Sequence, residues 1–514
     1  MSPPAAPLPA EQAWIMLDAR DNVAIAARTL RQGERLGEVV VRGDVPKGHK
    51  IAVAPIARGA LVRKYAQMIG HAKRAIKAGE HVHVHNLAFR QSRPDYRIGK
   101  DARRTKMTPA KKRATFMGYR RPGGRVGTRN YVAVISSVNC SATASRMIAG
   151  RFSRARLARQ HPNVDGVVAF VHGSGCGMAP DGEGIANLRR VMRGYAAHPN
   201  VAAVLLVGLG CEDNQLGEFL ATQGLRPGRT LRMLTIQGAG GLRRAVASGV
   251  AAVEELLAEA DKCKRSACSA ADLRVALQCG GSDAWSGVTA NPALGHAVDL
   301  LVAQGGSAVI AETPEVYGAE HLLTCRAESP AVARALIARL RWWEDYTARN
   351  GGSMDNNPSP GNKLGGLTTI LEKSLGAVAK GGTTAFREFV PYASPPRRRG
   401  FVMMDSPGYD PVSVTGQIAA GCNLVAFTTG RGSAFGSKPA PTLKICTNSE
   451  TYRRMREDMD VDAGAVVAAG RPLPQVGEEI FARLLALASG ERSKSERQGL
   501  GDLEFVPWQI GATM

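Results

Sequence analysis

The sequence predicts an α/β protein, with a small β-rich module at the amino end and a large parallel-sheet region in two halves behind it. Three observations carry that expectation. Short apolar stretches split by turn residues fill positions 14–90. Beyond position 118, near-continuous apolar runs end repeatedly in glycine-rich polar turns. Amphipathic helical patterns lie between those runs. Apolar strands alternating with helices indicate a sheet covered on both faces and built from βαβ units.

The opening stretch, 1–13, is rich in Pro and Ala and lacks the basic and apolar regions of a signal peptide, so a short disordered lead is expected. In the module 14–90, Ile15–Leu17, Val23–Ala26, Val39–Val41 and Ile51–Val53 are separated by turns such as Gly43-Asp44 and Lys47-Gly48. Its last segment, His81-Val82-His83-Val84-His85, alternates strictly, which predicts a strand with three imidazoles on one face. Residues 91–115 are polar and basic and are expected to form an exposed linker. A first α/β domain is expected over 116–268 and a second over 269–514, with a soft boundary near 262–272. The strand-and-turn units are Tyr131–Val138, Val167–Val171, Val204–Val207, Val275–Leu277, Ala308–Ala311, Phe401–Met404 and Leu424–Phe427. The helical patterns are Ile185–Tyr195, Leu242–Ala260, Ala331–Tyr346 and Glu478–Ala488.

The bulk numbers exclude several classes. A chain of 514 residues with 44% hydrophobic and 22% charged residues is globular in composition. No apolar run is long enough to span a bilayer. Nine cysteines and no leader argue against a disulfide framework and for reduced thiols in the cytoplasm. The net charge of +23 raises nucleic acid as a partner. Part of it is local, in 100–113 and at Arg397, Arg398 and Arg399, and no nucleic-acid-binding signature accompanies it. Solvated loops are the simpler reading.

In such sheets, ligands bind beyond the carboxyl ends of the strands, where these turns fall. The densest turn is QCGGSDAWSGVTANP, 278–292: Asp283 is a candidate base or metal ligand, and Ser282, Thr289 and Asn291 offer hydrogen bonds. Its structural alternative is a helix-capping turn. NPSPGNKLGG, 357–366, carries Lys363, which suits a carboxylate partner or an acid/base group, with Glu372 on the following helix as a possible pair. TTGRGSAFG, 428–436, resembles an anion cradle in which Thr428, Thr429 and Arg431 hold a carboxylate. It is not a Walker loop. His81, His83 and His85, joined by His49, form a potential site for iron, manganese or zinc. Cys140, Cys176, Cys211 and Cys279 each follow an apolar strand. If those strands are neighbours, the thiols offer an alternative site for iron, an iron–sulfur cluster or zinc. Each feature also has a bland reading, as a satisfied core residue or a surface loop.

Together these motifs resemble the altronate/galactarate dehydratase family. DNVAIA (21–26), GHK (48–50) and HVHVHN (81–86) resemble its amino-terminal SAF module. GLGCEDNQ (208–215), QCGGSDAWSGVTANP, NPSPGNK (357–363) and FTTGRGSAFG (427–436) resemble its catalytic region, in the same order along nearly the whole chain. HVHVHN and Tyr317-Gly318-Ala319-Glu320 look more like the altronate branch. The resemblance implies a hydro-lyase that converts D-altronate to 2-keto-3-deoxy-D-gluconate and water with Fe(II) or Mn(II). Galactarate or another sugar acid is the alternative substrate, and a homo-oligomer remains open. Asp283 or Lys363 is then expected as acid/base, Glu372 beside it, and Arg431 as the carboxylate clamp. The rival class is a non-catalytic nucleic-acid-binding protein.

Overall fold

The computed structural model describes residues 13–91 and 95–514; the expected lead, 1–13, lies outside them except for Ala13. The amino-terminal module is built of short strands. Trp14–Ile15, Val23–Ala26, Lys50–Ala52 and His81–Val82 form one antiparallel sheet, and Leu61–Lys64, Gln67–Ala72 and Leu87–Ala88 a second. The strand at the histidines ends at Val82, shorter than the alternation implies. The Asn86 side chain accepts from the His83 backbone N–H at 2.9 Å and donates to the His81 carbonyl at 2.9 Å, closing a turn over 83–86. A short amide side chain competing for backbone groups ends the ladder.

The next region is a four-stranded parallel sheet in the order Gly166–Phe170, Tyr131–Ser136, Val201–Gly208, Leu231–Thr235. Helices Glu183–Ala196 and Leu242–Asp261 cover it with faces that include Leu188, Val191, Val253 and Leu257, all buried. Two segments expected as linker end and boundary are paired strands. Thr115–Arg120 runs antiparallel to Arg265–Ser269, so the chain enters and leaves this domain side by side. Flanking charge hides the short apolar pattern of both. Between them and the module, the basic segment is largely exposed and straps across the last domain, Gly99 N–H donating to the Thr324 carbonyl at 3.0 Å and Thr108 N–H to the Ala303 carbonyl at 2.8 Å.

The last region is a seven-stranded parallel sheet ordered Phe386–Val390, Gly400–Met404, Ser307–Ile310, Arg274–Cys279, Leu424–Thr429, Thr442–Cys446, Val461–Asp462. Most of these strands are buried throughout, as a sheet flanked by helices on both faces requires. The chain runs outward from Arg274–Cys279 to one edge, then crosses to Leu424–Thr429 on the other side. The direction of winding therefore reverses between those two neighbours, and a crevice opens at their carboxyl ends. No helix among the described residues is long and apolar enough to cross a membrane.

The module docks over that carboxyl edge through a buried ion-pair clamp. Glu372, on helix Ile370–Ala379, accepts from Lys50 Nζ at 2.8 Å and from Lys64 Nζ at 2.9 Å, and all three side chains are essentially inaccessible. The Thr368 backbone N–H and hydroxyl complete the carboxylate's shell. Glu372 therefore pairs with the module's two lysines and not with Lys363, so it serves as a docking group. Burial disfavours the ionised carboxyl, but the two ammonium groups outweigh it and hold the group well below the usual carboxylate range. Burial pushes Lys50 down to about 8 against the pull of Glu372.

Glu372→Gln leaves two buried ammonium groups facing each other without a counter-charge, which should cost about 3–5 kcal/mol. Thermal unfolding should shift down accordingly. In the wild type the unfolded carboxyl, near 4.5, takes up protons before the folded one. The carboxylate's contribution is thus complete above that value and lost as the pH falls toward the folded value. The variant's stability should be flatter over the acid range.

Candidate functional site

Three imidazoles of the module converge at its contact with the large domain. The ligand atoms of His49, His81 and His83 all lie within 4.8 Å of one another. His49 Nε2 lies 3.2 Å from the Leu364 carbonyl, which only accepts, so that nitrogen carries the proton. Its Nδ1 lone pair then faces His81 Nε2 at 3.0 Å. His83 Nδ1 is buried with no hydrogen-bond partner. Burial first, then neighbouring positive groups, push His81 and His83 down to about 3, and burial lowers His49 as well. Neutral imidazoles with inward lone pairs, one oriented by a backbone carbonyl, are the donor set that iron, manganese or zinc takes. The residues present fit a divalent metal. His85 is exposed and stands outside this group, its ring 5.3 Å from that of His81.

His49 contacts the segment that carries Lys363, and that segment packs on Asp283. The Asn362 amide donates to the Ser282 carbonyl at 2.9 Å, and the Ala284 N–H donates to the Gly365 carbonyl at 2.9 Å. From the other side, Gly430 and Arg431 N–H both donate to the Gly281 carbonyl. A Cβ on Gly430 would lie 2.1 Å from Asp283 Cγ, so only glycine allows this approach. Three distant segments, 279–291, 357–366 and 428–436, therefore meet around Asp283. Its carboxylate is buried and accepts from Thr447 Oγ1 at 2.9 and 3.0 Å, Asn448 Nδ2 at 3.1 Å, Ser286 Oγ at 3.2 Å and the Trp285 N–H at 3.1 Å. Burial raises its pKa against these donors. Lys363 is half-buried on the short helix Pro360–Leu364, and Arg431 is exposed on its loop.

Other expected contact residues lie beneath the loops. The Thr428 hydroxyl donates to Asn291 Oδ1 at 2.6 Å, the Asn291 amide to the Gly376 carbonyl at 2.9 Å, and the Thr289 hydroxyl to the Thr447 carbonyl at 2.7 Å. Thr429 Oγ1 accepts from Gly432 N–H at 3.1 Å. These groups, all buried, hold the loops in shape. Ser282 bonds the Cys279 thiol at 2.9 Å. A small cavity lined by Cys279, Ser282, Asp283, Glu372 and Lys373 runs under the site.

That cavity leads to a polar cluster that the motif reading missed. Glu312, just past strand Ser307–Ile310, is buried in a left-handed conformation (φ 67°), costly for a residue with a side chain. Its Oε2 has no hydrogen-bond partner, and Lys380 Nζ stands 4.0 Å away. Lys373 Nζ donates to Glu315 Oε1 at 2.6 Å and to Asn357 Oδ1 at 2.9 Å. Asp410 accepts from the Gln278 amide at 2.9 Å beside Gly280. Burial, then the Glu315 charge, raises Glu312 well above the usual range. A buried carboxyl raised in this way is suited to hand on a proton.

The comparisons with known proteins agree with this layout. Residues 12–90 match the altronate/galactarate dehydratase SAF domain, 118–261 the D-galactarate dehydratase/altronate hydrolase second domain, and 270–513 the D-galactarate/altronate dehydratase C-terminal domain. The chain belongs to the galactarate/altronate dehydratase family. It is 35% identical over 507 residues to the altronate dehydratase of Escherichia coli K12, covering 98% of this chain and 100% of the relative. The altronate dehydratase of Bacillus subtilis 168 is 33% identical over 515 residues, with 98% and 100% covered. The galactarate dehydratase (L-threo-forming) of E. coli K12 is 34% identical over 497 residues, with 95% of each covered.

Within this family member the four strand-end cysteines do not form one group. Cys279 is buried in the seven-stranded sheet, whereas Cys140, Cys176 and Cys211 are exposed on the four-stranded one. A wider cleft lies elsewhere again, at the amino ends of the strands, and Arg125, Arg193, Arg274 and Arg399 line it. Three of these guanidinium groups cap backbone carbonyls of Ala197, Ala420 and Ala271. Reaction chemistry belongs at the opposite, carboxyl edge. The missed Glu312 had one signal, its place directly after a buried strand in Ala311-Glu312-Thr313-Pro314.

Two outcomes follow from this geometry. After anaerobic loading with Fe(II) or Mn(II), His81→Ala and His83→Ala should weaken metal binding by about 10–100-fold or more, while His85→Ala leaves it unchanged. Metal analysis after gel filtration reads this directly. Glu312→Gln should lower turnover by about 10²–10⁴-fold with no fall in melting temperature.

Proposed function

We propose that the chain is a hydro-lyase that dehydrates a sugar-acid carboxylate, with D-altronate as substrate and 2-keto-3-deoxy-D-gluconate and water as products. The observation that carries the proposal is the meeting of three strand-end segments on Asp283, beneath a module that adds three neutral imidazoles. Removing the proton beside a carboxylate builds a second negative charge on that group. The Arg431 guanidinium at the loop tip is placed to pair with the carboxylate. Asp283, raised by burial, or Lys363, half-buried on the facing segment, takes the C2 proton, and a proton returns to the departing C3 hydroxyl. The enol then tautomerises to the 2-keto acid.

His49, His81 and His83 would hold Fe(II) or Mn(II), which supplies Lewis-acid polarisation of substrate oxygens. Reduced thiols and a small anionic substrate suit the cytoplasm. The choice of D-altronate rests on HVHVHN at 81–86, on Tyr317-Gly318-Ala319-Glu320, and on near-complete coverage by two relatives named altronate dehydratase.

A panel of purified aldonates and aldarates, assayed for 2-keto product with the metal-loaded chain, tests the reading. D-Altronate should give the highest kcat/KM, and galactarate as the preferred substrate would reassign the branch. Asp283→Asn and Lys363→Met should each cut turnover by about 10²-fold or more with the fold intact by circular dichroism. Near-normal turnover in both would remove these assignments. Salt-dependent binding to DNA or RNA without lyase activity would favour the nucleic-acid reading.

A further inference from the structure

The four-stranded sheet carries a second, independent feature at its carboxyl edge. Cys140 follows the inner strand Tyr131–Ser136, Cys176 follows its neighbour Gly166–Phe170, and Cys211 follows its other neighbour Val201–Gly208. Their loops are locked around one point, Ser137. The Ser137 hydroxyl donates to Glu212 Oε1 at 2.6 Å, next to Cys211, and the Asn214 amide donates back to the Ser137 carbonyl at 3.1 Å. Asn139 N–H donates to the Ser174 carbonyl at 3.0 Å, and Asn214 N–H to the Gly175 carbonyl at 3.1 Å. A Cβ on Gly175 would lie 2.4 Å from the Ser137 carbonyl oxygen. Each cysteine thus sits within three residues of a shared contact.

Cysteine is ordinarily a small buried hydrophobe. Among the nine in this chain, four are buried, two are half-buried, and the exposed ones are these three. Other donors nearby are engaged. Glu212 takes the Ser137 hydroxyl and the Leu209 and Gly210 N–H groups. His172 is buried, contacting the Ser136 carbonyl at 3.0 Å and Ser174 Oγ at 3.1 Å. Asp213, exposed beside Glu212, accepts from the Met178 N–H at 3.2 Å. The three thiols are the soft donors of the rim. Glycines with positive φ flank two of the thiols (Gly175, Gly177 and Gly210), a conformation that lets successive backbone N–H groups line an anion-binding concavity. The Gln237 amide already donates to the Cys211 sulfur at 3.4 Å.

We propose that Cys140, Cys176 and Cys211 hold an iron–sulfur cluster through three thiolates. Structural zinc takes four protein ligands, and this rim supplies three. A cubane bound by three thiolates keeps one iron free for an oxygen donor. The rim would lie near the carboxyl edge of the seven-stranded sheet. Arg339 ties Glu183, which begins the helix after the Cys176 loop, at 3.1 Å to Asp405, at the end of strand Gly400–Met404, at 2.6 Å. The proposal does not rest on the choice of sugar acid or on the histidine site.

The test uses the full chain purified without oxygen and reconstituted with Fe(II) and sulfide. About four iron and four acid-labile sulfide per chain are expected, with visible charge-transfer absorption and an EPR signal on reduction. Cys140→Ser, Cys176→Ser and Cys211→Ser should each cut cluster content at least several-fold, and all three together should abolish it. Cys325→Ser, a half-buried control, should keep it. These thiols are exposed, so the variants should fold, and circular dichroism checks that they do. Binding of zinc in place of the cluster, absence of labile sulfide in the wild type, or a cluster that survives in the triple variant would each overturn the proposal.

Discussion

The buried clamp of Lys50, Glu372 and Lys64 is the contact on which the arrangement depends. One carboxylate between two ammonium groups, out of reach of water, is a poor source of net stability compared with packed hydrocarbon. It is, however, strict about geometry. The module can sit over the sheet edge only where both lysines reach the same carboxylate, and Lys50 Nζ also donates to the Gly366 carbonyl at 2.7 Å. Residue 49, next to that lysine, is a candidate metal ligand, and Gly366 follows the short helix that carries Lys363. The clamp thus sets the distance between the imidazoles and the strand-end loops. Thr369 adds to it by donating to the Ile69 carbonyl of the module at 2.6 Å.

Beneath the clamp, the parallel sheet supplies the rest through its winding. Arg274–Cys279 and Leu424–Thr429 are hydrogen-bonded neighbours whose following loops leave in opposite directions. Small residues at Gly281, Gly365 and Gly430 let three backbones close on Asp283. On the far side of Cys279, the strained Glu312 stands just past the end of the neighbouring strand, with Lys380 from the end of helix Ile370–Ala379 4.0 Å away. A buried carboxyl in a left-handed conformation, with one oxygen lacking a hydrogen-bond partner, is a cost that points to function. The site is therefore two polar groups on either side of one strand end, roofed by the module.

Much of this was legible from residue patterns. Apolar runs ending in glycine-rich turns identified the parallel strands, because a strand covered on both faces shows no alternation. The loops around Asp283, Lys363 and Arg431 stood out for the same reason, being polar where the runs stop. What pattern does not carry is the partner of a long side chain. Glu372 lies nine residues from Lys363 yet pairs with lysines more than 300 positions away. The histidine segment alternates like a strand, but Asn86 folds it into a turn, and the imidazoles gather through that turn with His49. Glu312 looked like an ordinary residue after a strand, since its strain exists only in the backbone torsions. The thiols divided between two sheets because strand adjacency is a property of the topology.

The most direct test of a composite centre is the distance from the module's metal to the substrate. Mn(II) bound to the protein should strongly enhance the nuclear relaxation of a ¹³C-labelled carboxylate on D-altronate, and His81→Ala should remove that enhancement. A bound sugar acid whose carboxylate relaxes no faster with Mn(II) than with diamagnetic Mg(II) would place metal and substrate in separate sites and contradict the account.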